Sequence, residues 1–180
     1  NFYTTNIWFR ILTFLSVLLE FYKLIFFPLK LNFEREQLVY TSFFNITIIA
    51  SVLILCVVAY LMYISWKTDK IIFFGLSWFF IALLPVSNIL IPINGIIYEH
   101  WLYVPLIGVA IAFGYFIRKI LLKIHDSKYM KIFFLFTIIA FIMLLSIRTF
   151  IRNDDWQDAF TFYKKTIKDS PNSVRLNNNL

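Results

Sequence analysis

The chain has 180 residues, 61% of them hydrophobic and 15% charged, with a formal net charge of +7. Soluble domains carry roughly 25% charged residues, so this composition excludes an ordinary soluble fold and reads as an integral membrane protein. In such a chain the basic excess marks cytoplasmic loops rather than a nucleic-acid surface, and the single cysteine, Cys56, excludes an internal disulfide or a cysteine-paired metal.

The first apolar segment runs from about Ile7 to Leu29 and is interrupted by Arg10, Glu20 and Lys23. Glu20 and Lys23 stand three apart, on one helical face, where they can pair. The uncharged run between Arg10 and Glu20 is too short to span alone. The segment is therefore either a polar-faced span packed against protein or a helix lying along the interface. Pro28 ends it. A polar connection, 30–42, carries Lys30 and Arg35 and leads to an uncharged span, Phe43–Ser65. After a short turn, Trp66–Lys70, the next span is Ile71–Pro92, and Trp101–Ile117 returns across the membrane. Gly108 and Gly114 on that return segment would let another helix approach closely. Arg118–Lys131 is a basic loop, and the last span covers about 132–150. The expected fold is all-α: a polytopic transmembrane helix bundle of four or five spans over residues 1–152, then a different kind of segment from 153 to 180.

Between the third and fourth apolar segments, Leu83–Gly108 carries Asn88, Asn94, Glu99 and His100, with Pro85, Pro92 and Pro105. Each proline removes a backbone donor and discourages continuous helix. Polar, broken backbone persists at membrane depth only where protein or water covers it. Trp101 and Tyr103 stand where an interfacial aromatic belt is expected. This stretch is the candidate functional hairpin, and an ordinary connecting loop is its plain alternative.

Sidedness follows from the short loops. If the spans alternate, one side receives Lys67, Lys70, Arg118, Lys119, Lys123, Lys128 and Lys131, and the other only Lys30 and Arg35. The lysine-rich side is expected in the cytoplasm. The 93–100 hairpin and the C-terminal tail are then extracytoplasmic, with Arg148 and Arg152 the minor contrary signal.

The tail from Asn153 is polar and helical in pattern. Asn153 or Asp154 is placed to cap a helix with Asp155 and Asp158 in its first turn, and Ala159, Phe162, Tyr163, Thr166 and Ile167 make one apolar face. Ala159, Tyr163, Thr166 and Pro171 resemble the second helix of a tetratricopeptide repeat. Val174–Leu180 would open the next repeat, with Asn177 and Leu180 at helix positions. Such arrays need about three units to bury their faces, so more repeats are expected beyond this piece, which also lacks an initiator Met.

Four blocks in order resemble the transmembrane and TPR-containing O-mannosyltransferases and their bacterial TPR membrane relatives, members of the GT-C class of multi-spanning glycosyltransferases. They are Tyr22–Leu31 (YKLIFFPLKL), Trp78–Asn88 (WFFIALLPVSN), Tyr98–Gly108 (YEHWLYVPLIG) and Asp155-Trp156. The chain departs from the eukaryotic pattern at His100, where those members carry Arg; a histidine is not a fixed cation. The resemblance implies sugar transfer, of mannose or a similar hexose, from a polyprenyl-phosphate lipid to an acceptor protein engaged through the repeats. It also places the catalytic acidic pair in a first outer loop upstream of this piece, so no catalytic residue is expected here. Asp154 and Asp155 read as capping residues, not as that pair.

Within the resemblance, Glu99, His100, Trp101, Tyr103 and Asn88 are the substrate-binding candidates. His100 would contact phosphate, Glu99 would orient it or bind sugar hydroxyls, and Trp101 and Tyr103 would offer flat apolar faces. Each has a plainer reading as wetted loop, belt residue or interhelical hydrogen bond. No metal-ligand spacing, glycine-rich phosphate loop or nucleophilic triad is present; any role for a divalent ion is open. The alternative of a different class is a non-catalytic membrane platform presenting repeats to protein partners. A transporter would show matching broken helices in two halves, which the sequence lacks.

Overall fold

The computed structural model describes residues 2–28, 31, 32, 35, 38–93, 95–124, 127–169, 171 and 178. The expectations for Lys30, Asn94 and the second repeat at Val174–Leu180, with Asn177 and Leu180, lie outside the described residues. The fold is all-α, and no strand occurs among the described residues. Its helices are α1 (Phe2–Thr5), α2 (Ile7–Phe26), α3 (Ile46–Thr68), α4 (Lys70–Leu83), α5 (Tyr103–Lys123), α6 (Lys128–Asn153) and α7 (Ala159–Asp169). The chain forms two compact units, Asn1–Gly114 and Tyr115–Leu180.

Among the described residues, three helical runs are long and apolar enough to cross a membrane: Ile46–Thr68, Glu99–Lys123 and Lys128–Trp156. This is a membrane protein. Asn45 and Ser127 cap α3 and α6 by accepting from the amides of Thr47 (2.9 Å) and Met130 (3.3 Å). Ser51, Ser65, Thr137, Ser146 and Thr149 turn their hydroxyls back to the carbonyl four residues earlier, which keeps these polar groups satisfied in an apolar setting. The third expected span is shorter than its apolar run. Helix α4 ends at Leu83, a 3-10 turn covers Leu84–Val86, and the chain then leaves helical geometry instead of continuing to Pro92. Pro85 sits within that turn, where the missing donor forbids another α-helical bond.

The core of the first unit is α2. Leu12, Leu15, Val17, Leu18 and Phe21 are buried, together with the hydroxyl residues Thr13 and Ser16. What packs on them is informative. From α3 come Ile48, Val52 and Leu55, all in its first half; from α4 come Phe79, Phe80 and Leu83, all near its end. Leu102 and Val109 come from the start of the return segment, and Ile96 and Ile97 from the loop before it. Helix α2 therefore shares its core with residues from one end of α3, α4 and α5, the end where Asn32, Arg35 and Tyr40 are also held. The amide of Tyr40 donating to Thr13 Oγ1 (3.2 Å) ties the first connection to the same helix.

Helices α4 and α5 meet at glycines. A Cβ placed on Gly75 would stand 2.4 Å from the Gly108 carbonyl oxygen, and one on Gly108 would stand 2.3 Å from that of Gly75. Gly108 thus admits the close approach expected of it. Gly114 does not: a Cβ there meets nothing within 4 Å.

In the second unit, α6 runs through Asn153 into a 3-10 turn, Asp154–Trp156. The helix cap expected at Asn153 or Asp154 is instead Asp158, whose Oδ1 accepts from Thr161 N at 2.9 Å. Of the predicted apolar face of α7, Phe162 and Thr166 are buried, and Phe162 packs on Trp156 with ring centroids 4.4 Å apart. Asp155 accepts from Lys165 at 2.6 Å and also pairs with Arg152, so it pins α7 to the end of α6. The Lys165 hydrogen bond, against a smaller opposing effect of burial and with help from Arg152, holds the Asp155 carboxyl below its usual 3.8. Thr161 lowers Asp158 in the same direction. A lowered folded-state value contributes stability that is present above the unfolded value and is lost as pH falls through the folded one. Amide hydrogen exchange in α7 is therefore expected to be flat from neutral pH down to about 5 and, after correction for intrinsic rates, to accelerate only below 3.8. Fraying of α7 already at mildly acid pH would contradict the clamp.

Candidate functional site

The site candidates gather at the end of the first unit where α2 has its core partners. Asn88 opens the loop. It is buried, and its φ of 59° lies in the left-handed region, which asparagine tolerates better than most residues. Its side-chain oxygen accepts from Ile93 N at 2.7 Å and its amide nitrogen donates to the Gly95 carbonyl at 2.9 Å. Its own carbonyl accepts from Arg10 Nη1 of α2 at 3.1 Å. Both ends of the carboxamide are thus engaged, holding Asn88 to Ile93 and Gly95 across the bend. Gly95, at φ 125°, completes the bend; a Cβ there would stand 2.3 Å from the Tyr98 ring. Asn88→Ala removes both bonds and the conformational tolerance. It is expected to cost about 2 kcal/mol, read as a lower midpoint of thermal unfolding in detergent; Asn88→Gly, which keeps the backbone freedom, should lose less. Equal loss in both would contradict this division.

Glu99 is held firmly. Its Oε1 accepts from Asn32 N (2.7 Å), Arg35 Nη2 (2.7 Å) and Arg35 Nε (3.1 Å). Arg35 also lies 3.9 Å from Glu20, which pairs with Lys23 at 2.6 Å. Four charges thus alternate in sign from α2 through the first connection to the hairpin. The Glu20–Lys23 pair is the one that helical spacing predicts; Arg35 is the member that sequence reading missed. Nothing in the sequence around Arg35 signals a partner 64 residues away. Among the described residues, no donor reaches the second Glu99 oxygen, Oε2.

Aromatic residues next to Glu99 in the chain pack on one another. The exposed His100 ring stacks on Tyr98 (5.4 Å between centroids, 25°), and Tyr98 meets Trp101 edge to face at 4.9 Å. Trp101 packs on the core while Tyr103, at the start of α5, is largely exposed. The structure therefore brings Glu99, His100 and Trp101 together with Arg35 and Tyr98, and leaves Tyr103 on the open side. Among the described residues no cluster of His, Cys, Asp and Glu is arranged to hold a metal ion. Chemically, the arrangement offers one carboxylate fixed through Oε1, adjoining in the chain a group of stacked and edge-on rings.

Comparison with known proteins agrees with the resemblance read from the four blocks. The chain is similar to the protein O-mannosyl-transferases TMTC2 of Mus musculus (27% identical over 105 residues, 58% of the chain), TMTC3 of Homo sapiens (28% over 116 residues, 64%) and Tmtc1 of Drosophila melanogaster (26% over 107 residues, 59%). It spans about 12% of the length of each of these relatives. No family model and no solved structure matches it.

Proposed function

We propose that this chain is the part of an integral-membrane glycosyltransferase that receives the donor sugar, moving a hexose such as mannose from a polyprenyl-phosphate lipid to a protein hydroxyl on the extracytoplasmic face. The observation that carries the reading is the grip on Glu99: a hairpin carboxylate fixed through one oxygen, next in sequence to aromatic residues, in a chain similar to named O-mannosyl-transferases. Helix α2 lies in the interface plane, its charges at headgroup level, and α3, α4, α5 and α6 cross the membrane. The hairpin, α2 and the tail then share one side, opposite the lysine-rich turns.

In the reaction the acceptor hydroxyl bonds to the anomeric carbon, the bond from that carbon to phosphate oxygen breaks, and polyprenyl phosphate leaves. Glu99 Oε2 accepts from a sugar hydroxyl, and Trp101, Tyr103 and the His100–Tyr98 stack face the sugar ring and the first isoprene units. The acceptor proton goes to a carboxylate supplied elsewhere in the protein, since Glu99 and Asp155 are both committed to cations. The tail begins a TPR array that engages the acceptor protein. A second reading, a platform for repeats without catalysis, draws on the Asp155 clamp, which fixes the direction in which α7 leaves α6.

Glycopeptide mass spectrometry separates the two in host cells lacking the protein and complemented with the full-length form. The transferase reading expects hexose on acceptor peptides with the wild type and a loss of about tenfold or more with Glu99→Gln, since a charge-assisted sugar contact is removed. Identical glycopeptides with and without the protein would leave only the platform.

A further inference from the structure

Arg10 is a half-buried cation at this end of the first unit, and among the described residues no carboxylate pairs with it. Lys23 pairs with Glu20, and Arg35 pairs with Glu99 and Glu20. Arg10 sits in α2 with one guanidinium bond, from Nη1 to the Asn88 carbonyl, while its Nε is enclosed without an acceptor. A guanidinium removed from water and left without a counter-charge is unfavourable. The usual remedy is an anion that matches the fork of the guanidinium, which a phosphate does.

We propose that Arg10 is the binding residue for the phosphate of a lipid with a long hydrocarbon tail, and that in the transferase reading, on which this rests, that lipid is the polyprenyl-phosphate donor. The carbonyl that positions Arg10 belongs to a residue whose own side chain is locked to Ile93 and Gly95, so the cation is set in place before any ligand arrives. The surroundings favour a lipid phosphate over a free one. Trp8, two residues before Arg10, and Leu90 and Ile91, just after Asn88, are all exposed large apolar residues. Leu90 and Ile91, which closely follow the residue that holds Arg10, offer a hydrocarbon tail an apolar surface. His100, stacked on Tyr98, is thereby released from the phosphate role that the sequence suggested and joins the sugar-facing rings.

The test is direct binding of polyprenyl monophosphate, phosphatidic acid and inorganic phosphate to the full-length protein in detergent. The wild type is expected to bind polyprenyl monophosphate, with inorganic phosphate weaker by about a hundredfold or more, because it lacks the tail. Arg10→Gln should weaken the lipid by about tenfold or more, and Arg10→Lys by less, since the charge remains but the fork is lost. Undiminished binding in folded Arg10→Gln would overturn the assignment while leaving the transferase reading in place. Arg10-dependent binding of phosphatidic acid but not of polyprenyl monophosphate would keep the site and remove the donor. No phosphate lipid bound by the wild type would overturn the site. Should the variants misfold, a photoreactive polyprenyl phosphate decides on the wild type: label on the peptides around Trp8–Leu12 and Ile89–Ile93 supports the site, and label confined elsewhere overturns it.

Discussion

Replacing Gly75 or Gly108 with alanine is expected to be among the most damaging small changes in the chain. The added methyl on Gly75 meets the Gly108 carbonyl at 2.4 Å and the Ala112 Cβ at 2.9 Å; that on Gly108 meets the Gly75 carbonyl at 2.3 Å and Trp78 Cδ1 at 2.9 Å. Backbone lies on both sides of the contact, so rotamer changes cannot relieve it and α4 and α5 must move apart. Moving apart loosens the bond from Trp78 Nε1 to the Val104 carbonyl (3.0 Å), one turn from the hairpin. Overpacking of this kind costs about 1–3 kcal/mol. The double variant should cost less than the sum, because one separation of the helices accommodates both methyls. Gly114→Ala is the matched control, with nothing within 4 Å of its methyl. Unfolding midpoints in a graded SDS titration of mixed micelles would show it: equal midpoints for Gly75→Ala and Gly114→Ala would contradict the close crossing.

Breaking the Glu99–Arg35 pair should have an effect of similar size and a wider reach. The two side chains are only 20% and 19% exposed. Removing one partner of a fully buried pair costs about 3–5 kcal/mol; discounted for this residual exposure, Glu99→Gln or Arg35→Gln should cost about 2 kcal/mol. Glu99→Gln leaves Arg35 leaning on a Glu20 that Lys23 already shares, and it weakens the hold of Asn32 and Arg35 on the hairpin. The exchange Glu99→Arg with Arg35→Glu tests the pairing itself. It should recover part of the thermal midpoint, yet not the glycosylation, because the proposed sugar contact needs a carboxylate at 99. Recovery of neither would mean that the pair's surroundings, rather than the pair, hold the hairpin.

Much of this architecture is legible in the residues. The uncharged runs give α3, α5 and α6, because an apolar helix long enough to cross a membrane needs no tertiary information to be recognised. The hairpin is legible through its prolines, and its motif blocks point to the same proteins that comparison finds. Three features escape such reading because they depend on contacts far apart in sequence. Helix α2 reads equally well as span or interfacial helix, and the residues from α3, α4 and α5 that share its core leave no trace in its own pattern. Gly108 and Gly114 are alike in sequence, but one faces a helix and the other open space. Arg35 stands among other charged residues, with no periodicity to single it out, yet it is the main partner of Glu99. Asn88 is a subtler case: its position in an apolar run suggests a cross-helix or ligand contact, whereas a left-handed backbone turns its amide to the bend that follows it.

The most direct measurement is cysteine labelling from either side of sealed vesicles, on full-length protein with Cys56 and any other native cysteines replaced. Thr5→Cys and Lys23→Cys bracket α2; Ile91→Cys and Gln157→Cys report the hairpin and the tail; Thr68→Cys and Lys123→Cys report the opposite turns. With α2 lying in the interface plane, Thr5, Lys23, Ile91 and Gln157 react with an impermeant reagent from the extracytoplasmic side, and Thr68 and Lys123 from the cytoplasmic side. Labelling of Thr5 and Lys23 from opposite sides would make α2 a membrane span and take Arg10, Glu20 and the hairpin out of a common site.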